Sequence, residues 1–283
     1  MNFIQISKDL FILLHTELNS IRKERGLHGL NNISDQGVKD THHIDQIAFK
    51  LIKKQLSNLP VNVYLEGFPP IVNHSADYNL YIDPVDGSRN WDRGVGDPCF
   101  CMAVSKNIPH LTFRDLTFAF VGGYHSLDQY YLEDGSPIFE SHLLQQKIIL
   151  ENIKKVQTLN SAHAYLKPGY SAAKYHFDFC LPIYYRVKDI RSIDNSGMDL
   201  CEIARGAADF AIEARQLSDF YNLLAYPIFH SSGGIITDLN GQDLIDREFN
   251  IDSQYDFIAS SNMTLLLEIF DILHIPHQNV KNS

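Results

Sequence analysis

The 283-residue chain has no apolar run approaching the roughly 20 residues that a membrane-spanning helix needs, so no membrane partner is expected. Basic residues are also short. Only 24 Lys and Arg face 34 Asp and Glu, a formal net charge of −10. That balance excludes the basic stripe with which a protein neutralises a nucleic-acid polymer, yet it leaves room for an acidic site that carries metal ions. Cysteine is scarce: of four, only Cys99 and Cys101 lie close together, and their spacing is not the C-x-x-C of zinc or redox sites. All four are read as reduced thiols of a cytoplasmic protein. The opening "MNFIQISKDLFILLHTELNSIRKERG" lacks the basic start and unbroken apolar core of a signal peptide and reads as an amphipathic helix. Internal repeats and low-complexity segments are absent too. What remains, 45% hydrophobic and 20% charged residues, is ordinary for a globular chain. The length suffices for one large domain or two modest ones.

Helical spacing of apolar residues continues through residues 44–56. "VNVYLEG" reads as a short strand ending at Glu66, and "YNLYI" as a second ending at Asp83, where Pro84 hinders further ladder bonding. "CFCMAVSK" and "LTFAFVGGYH" read as strands, and "DQYYLEDGSPIFE" as a hairpin turning at Asp134-Gly135. The first part, residues 1–140, is therefore expected to be helices packed on an antiparallel sheet. From residue 141 to 283 a smaller α/β unit is expected, entered through the polar "HLLQQKIILENIKKVQTL". There "YYRVKDIRSI" is strand-like, "SGMDLCEIARGAADFAIE" is helical from a cap-like Ser196, and "LSDFYNLLAYPIFHSSGG" is a further helix before the strand "IITDLNG".

Four acids stand at element ends: Glu66, Asp83, Asp86 and Asp219. Carboxylates on such rigid supports can hold a hard cation, which prefers carboxylate and carbonyl oxygens, and the Val85 carbonyl between two of them is a natural extra ligand. Gly87 and Ser88 follow at once and open a short helix through "SRNW". Its exposed N–H groups, with no glycine side chain in the way, suit a phosphate. Metals and anion donors at one point are the equipment for phosphoryl transfer to water. Taken alone, "YIDPVDGSRNW" fits a solvated Asp-Gly turn as well as a metal site. D-x-x-D is not the D-x-D of an aspartyl nucleophile, and "DPVDGSRNWDRG" lacks the alternating acids and the final glutamate of an EF-hand loop. Singly, Glu66 reads as a solvated strand end and Asp219 as a helix cap. Adjacent His42 and His43 do not face one site on a helix and are read as surface. Trp91 and Phe100 read as core or pocket wall.

Together the segments resemble the inositol monophosphatase superfamily, Mg²⁺-dependent and typically lithium-sensitive phosphomonoesterases. "YIDPVDGSRNW" resembles its D-P-x-D-G-[ST]-x-N-[FW] signature, "YLEG" its G-E-E segment, and "SGMDLCEIARGAADFAIE" its S-A-A-L-D-L-C-x-V-A-x-G-x-x-D helix. "LSDFYNLLAYPIFHSSGGIITDLNG" resembles the W-D-x-A-A-G…E-A-G-G-x-x-T-D block, and the order is kept from Lys39 to Gly241. The resemblance implies an α+β fold, a layered α/β/α/β/α sandwich of the inositol monophosphatase/fructose-1,6-bisphosphatase type. It implies that Glu66, Asp83, the Val85 carbonyl, Asp86 and Asp219 bind about two or three Mg²⁺ ions, with Mn²⁺ as a substitute. Gly87 and Ser88 would hold phosphate through backbone amides. Glu66, or Ser88 with Asp45, would activate the attacking water, and Glu213 would contact substrate hydroxyls. The implied partner is a small phosphorylated metabolite, and a homodimer is the family's common state.

The departures fall on the substrate side. Gly67 replaces a glutamate, His42 a threonine and Ser218 a tryptophan. Asp194, Asn195, Ser196 and Gly197 stand where G-S-A-A is common, as substrate contacts or simply as a cap of the next helix. Residues 160–180 match no pattern of the family. A phosphatase acting on an inositol monophosphate-like ester or sugar phosphate is the leading expectation. Fructose 1,6-bisphosphate and adenosine 3′,5′-bisphosphate are alternative substrates, and a non-catalytic binding relative is the alternative of another class.

Overall fold

Two helices open the chain because their apolar residues fall four apart. In α1 (Phe3–Arg25), Leu10, Leu14 and Leu18 are buried, and in α2 (Gly37–Leu56), Ala48, Ile52 and Leu56. The computed structural model describes residues 1–25, 37–151, 153, 155–167, 174–216 and 219–276, without the side chains of 25, 37–43 and 174. The reading of His42 and His43 as surface therefore lies outside the described side chains, and Ser218 outside the described residues.

Both helices cover a seven-stranded sheet in which spatial order follows chain order. Its strands are β1 (Val61–Leu65), β2 (Tyr78–Asp86), β3 (Cys99–Lys106), β4 (Leu116–Gly123), β5 (Gln129–Glu133), β6 (Ser136–Ser141) and β7 (Gln146–Ile149). The expectation of a purely antiparallel sheet is corrected: β1 runs parallel to β2, from Val61 opposite Tyr78 to Leu65 opposite Ile82. Residues 66–77 make the return that a parallel pair requires. Asp134 and Gly135, at φ 51° and 84°, make the tight β5–β6 turn in the left-handed conformation that such hairpins use. The polar passage after residue 141 carries β7 and so still belongs to the first sheet.

The second sheet has five strands in the order β11-β12-β10-β8-β9: β8 (His163–Leu166), β9 (Asp189–Arg191), β10 (Phe210–Glu213), β11 (Ile235–Thr237) and β12 (Phe257–Ser260). α4 (Lys174–Tyr184) and α7 (Met263–Leu273) close its outer face, where Leu266 and Ile269 of α7 share a core with Phe210 and Ile212 of β10. α5 (Ser196–Arg205) and α6 (Tyr226–Ser231) lie between the two sheets, and Leu200, Cys201, Ile228 and Phe229 join the core of the first. The layers are thus α/β/α/β/α. α5 is shorter than its apolar pattern suggests. Gly206 ends it in the left-handed conformation, at φ 80°, and "FAIE" becomes β10. The helix expected from residue 217 is instead a 3₁₀ turn, Phe220–Leu223, followed by α6 with Pro227 in its first turn. All four cysteines are buried and unbridged, and Trp91 and Phe100 are core residues. Among the described residues no helix is long and apolar enough to cross a membrane.

Candidate active site

Parallel pairing of β1 with β2 is what brings the first two acids together. Glu66 follows β1, and its N–H donates to the Ile82 carbonyl at 3.0 Å, which seats it beside Asp83. β2 then bulges: Asp83 faces Cys101 while Asp86 faces Cys99, so one extra residue enters the ladder. Acids three apart on a regular strand would point to opposite faces. The bulge turns Asp86 back, and Asp83, Val85 and Asp86 line one cleft of about 370 Å³. Asp83 Oδ1 accepts the Val85 N–H at 2.9 Å, and the buried Tyr124 hydroxyl donates to the Pro84 carbonyl at 2.6 Å.

Gly87 is the next turn, at φ 81°, and caps α3 (Ser88–Arg93). A Cβ there would lie 1.9 Å from Asn195 Oδ1, so only glycine fits. Asn195 is fully buried. Its Oδ1 accepts Asn90 Nδ2 at 2.7 Å, and Asn90 Nδ2 also reaches the Ile193 carbonyl. Gly87 and Ser88 line the cleft beside Asp83 and Asp86, where the first N–H groups of a helix lack partners within the helix.

The far side is built on α5 and the ends of β8 and β10. The Gly197 N–H donates to Asp86 Oδ2 at 2.6 Å, tying the two halves of the site. Ser196 Oγ accepts from buried Lys167 Nζ at 2.8 Å, and Lys167 pairs with Asp199 at 3.1 Å. Glu213 is buried and bound through both oxygens by Arg215, with contacts of 2.8 Å from Nε and 2.5 Å from Nη2. Arg215 Nη2 also donates to Asp194 Oδ1 at 2.7 Å, so that Arg215 and Asp194, not Glu213, line the cleft. Asp219 caps the 3₁₀ turn, its Oδ1 accepting from Tyr221 N and Asn222 Nδ2 at 2.9 Å each.

Electrostatics link the acids. Burial first, then the charge of Asp219, holds Glu66 up at about 7, with Asp86 and Asp45 adding to the rise. Burial first, then Glu66 and Asp86, holds Asp83 well above the usual carboxylate range. Asp86 is pushed up to about 6 by burial, against the pull of the Gly197 N–H and Lys167. The protonated forms therefore suit the fold better than the charged ones. Their stabilising contribution is complete below the unfolded values of 4.5 and 3.8 and is lost as pH rises through about 6 and 7. Denaturant titration of the metal-free protein should show stability falling between about pH 4 and pH 7 from these groups, and recovering at pH 7 when a divalent cation is added. A rise across that window would contradict the raised values.

Of the residues named from sequence, Glu66, Asp83, Val85, Asp86, Gly87, Ser88 and Asp194 share the cleft, while Asp45 and Asp219 bring their charges to Glu66. Asn195 and Ser196 are buried behind it, in contact with Gly87 and Lys167. Lys167, Arg215, Asn90 and Asn222 were not foreseen. Arg215 had a local signal: it follows Glu213 by two, the spacing that puts strand residues on one face.

No family model matches the chain. It is 26% identical over 246 residues to the fructose-1,6-bisphosphatase/inositol-1-monophosphatase of Methanocaldococcus jannaschii, covering 83% of this chain and 85% of the relative. It is 29% identical over 250 residues to the fructose-1,6-bisphosphatase of Pyrococcus furiosus, covering 86% of this chain and 87% of that one. The crystal structure of inositol monophosphatase-II from Staphylococcus aureus superposes with a TM-score of 0.73 at 13% identity, over 98% of this chain and 95% of that one. The inositol monophosphatase of Thermotoga maritima gives 0.62 at 18% identity, over 82% of each chain. At these identities the structural likeness speaks for the fold, and the sequence relatives span most of their own length. With its five layers and the relatives aligned along most of the chain, this protein is similar to the fructose-1,6-bisphosphatases and inositol monophosphatases, which are phosphoric monoester hydrolases.

Proposed function

We propose that the chain hydrolyses a small phosphomonoester, an inositol monophosphate-like ester or a sugar phosphate, with Mg²⁺ as cofactor. The observation that carries this reading is that Glu66, Asp83, Val85 and Asp86 line one cleft. Burial raises all three carboxyls and the charge of neighbouring acids adds to the rise, a strain that opposite charge would relieve. Hard oxygen donors of this kind suit Mg²⁺, with Mn²⁺ as a substitute. Asp219 is the remaining donor in this reading, supported by its charge acting on Glu66. The bound ions would neutralise the phosphate oxygens and acidify water. Residues 1–140 then supply most of the ligands and 141–283 supply Asp219 and the substrate side.

The Gly87 and Ser88 amides hold the ester's phosphate in place and orient it. Glu66 takes the proton from the attacking water, or Ser88 does so with Asp45 behind it. Asp86 is kept in position by the Gly197 N–H. Phosphate release should be measured across a panel of phosphomonoesters with and without Mg²⁺. Release only with the ion supports the reading. Ligand binding without release from any ester would sink it in favour of a non-catalytic relative.

A further inference from the structure

The leaving-group side of the cleft differs from the phosphate side in how its charge is arranged. Arg215 is a cation in that wall, but Glu213 and Asp194 flank it at 2.5 and 2.7 Å, so two carboxylates share one guanidinium. Lys167 lies 3.9 Å from Asp194 and is closer to Asp199, at 3.1 Å. Asp199 and Glu213 are buried, whereas the Asp194 side chain is about one-third exposed and faces the cleft. An incoming group therefore meets a carboxylate that shares its guanidinium partner, Arg215, with Glu213.

The backbone of Asp194 is left-handed, φ 64°, a conformation that aspartate enters more readily than most L-residues. The next residue fixes the placement. Asn195 is pinned by Asn90 and packs on Gly87, so Asp194 stands at a set position beside the phosphate turn.

We propose that Asp194 is a specificity-determining residue, selecting phosphomonoesters whose leaving group is an uncharged polyol and rejecting those that carry a second anion. The proposal rests on the hydrolase reading and deepens it. Hydroxyls can donate to the Asp194 carboxylate, while a second phosphate or a carboxylate would meet like charge there. Arg89, exposed on the phosphate side of the cleft, is the residue that could oppose this selection.

The test compares kcat/KM for inositol 1-phosphate and fructose 1,6-bisphosphate in wild type, Asp194→Asn, Asp194→Gly and Arg89→Ala. Asn keeps the acceptor for Arg215, and both Asn and Gly tolerate the left-handed backbone, so folding is spared. Wild type should favour the monophosphate, and both Asp194 variants should shift the ratio toward the bisphosphate by about tenfold or more. An unchanged ratio in both variants overturns the proposal. So does a wild type that already prefers the bisphosphate and loses that preference in Arg89→Ala. Should wild type release phosphate from neither ester, the hydrolase reading fails on its own. Calorimetric affinities of the same two esters then decide Asp194: Asp194→Asn must narrow their difference, and an unchanged difference overturns the proposal.

Discussion

Asp83→Asn is expected to abolish Mg²⁺-dependent phosphate release and at the same time to raise the melting temperature of the metal-free protein. Asp83 is buried, and its carboxyl is held up by burial, by Glu66 and by Asp86. At neutral pH the metal-free fold must either keep that charge among its neighbours or take up a proton, and both cost free energy. Asparagine does neither. Its carbonyl can still accept the Val85 N–H now donated to Asp83 at 2.9 Å, so the bulge survives. Relief of about 1–3 kcal/mol is the usual scale for a single buried polar change, and each kcal/mol moves the transition by about 2–4 °C in a chain of this class. Activity goes the other way. Losing a donor shared by the cations should remove several kcal/mol of charge stabilisation, a fall of about 10³-fold or more. Calorimetry on the metal-free variant and phosphate release with Mg²⁺ measure the two halves. A variant that melts lower and stays active would show that the carboxylate is a structural group and not a cation ligand.

The same contrast explains what could be read from the chain alone. Glu66, Asp83 and Asp86 were legible because a local pattern, acids at strand ends followed by Pro, Gly and Ser, is itself the device: the bulge and the glycine turn are built from adjacent residues. α1 and the Asp134-Gly135 hairpin were legible for the same reason. The parallel partnership of β1 with β2 was not, since two short strands separated by a loop look alike in either direction and only the fold decides. Nor was the Arg215 bridge. Glu213 is two residues from Arg215, but Asp194 is 21 away, and nothing in an isolated Asp announces which cation it will share. Lys167 was hidden more deeply. A lysine in a polar stretch reads as surface, yet Asp199, Glu213, Asp194 and Asp86 together keep its ammonium charged despite full burial.

Gly87→Ala should be the most damaging alanine substitution among the described glycines, because it meets both a backbone and a steric limit. Alanine at φ 81° is disfavoured by about 1 kcal/mol before any contact is considered. Its Cβ would lie 1.9 Å from Asn195 Oδ1 and 2.7 Å from Asn195 Cγ, so Asn195 must move. That side chain is fully buried and held by Asn90, and two residues on, the Gly197 N–H holds Asp86. Displacement therefore runs from the phosphate turn through α5 to a proposed cation ligand. A stability loss of about 2–4 kcal/mol is expected from strain plus overpacking, and a fall in kcat/KM of about 10²-fold or more follows from misplacing the ester by an ångström. The double variant Gly87→Ala with Asn195→Ala separates the two causes. Removing the amide clears the clash, so the pair should be more stable than the sum of the single losses predicts. Only the backbone cost would remain, together with whatever Asn195→Ala loses by itself. Strict additivity in denaturant titrations would mean that Asn195 does not press on the glycine, and the link from phosphate turn to Asp86 would fall with it.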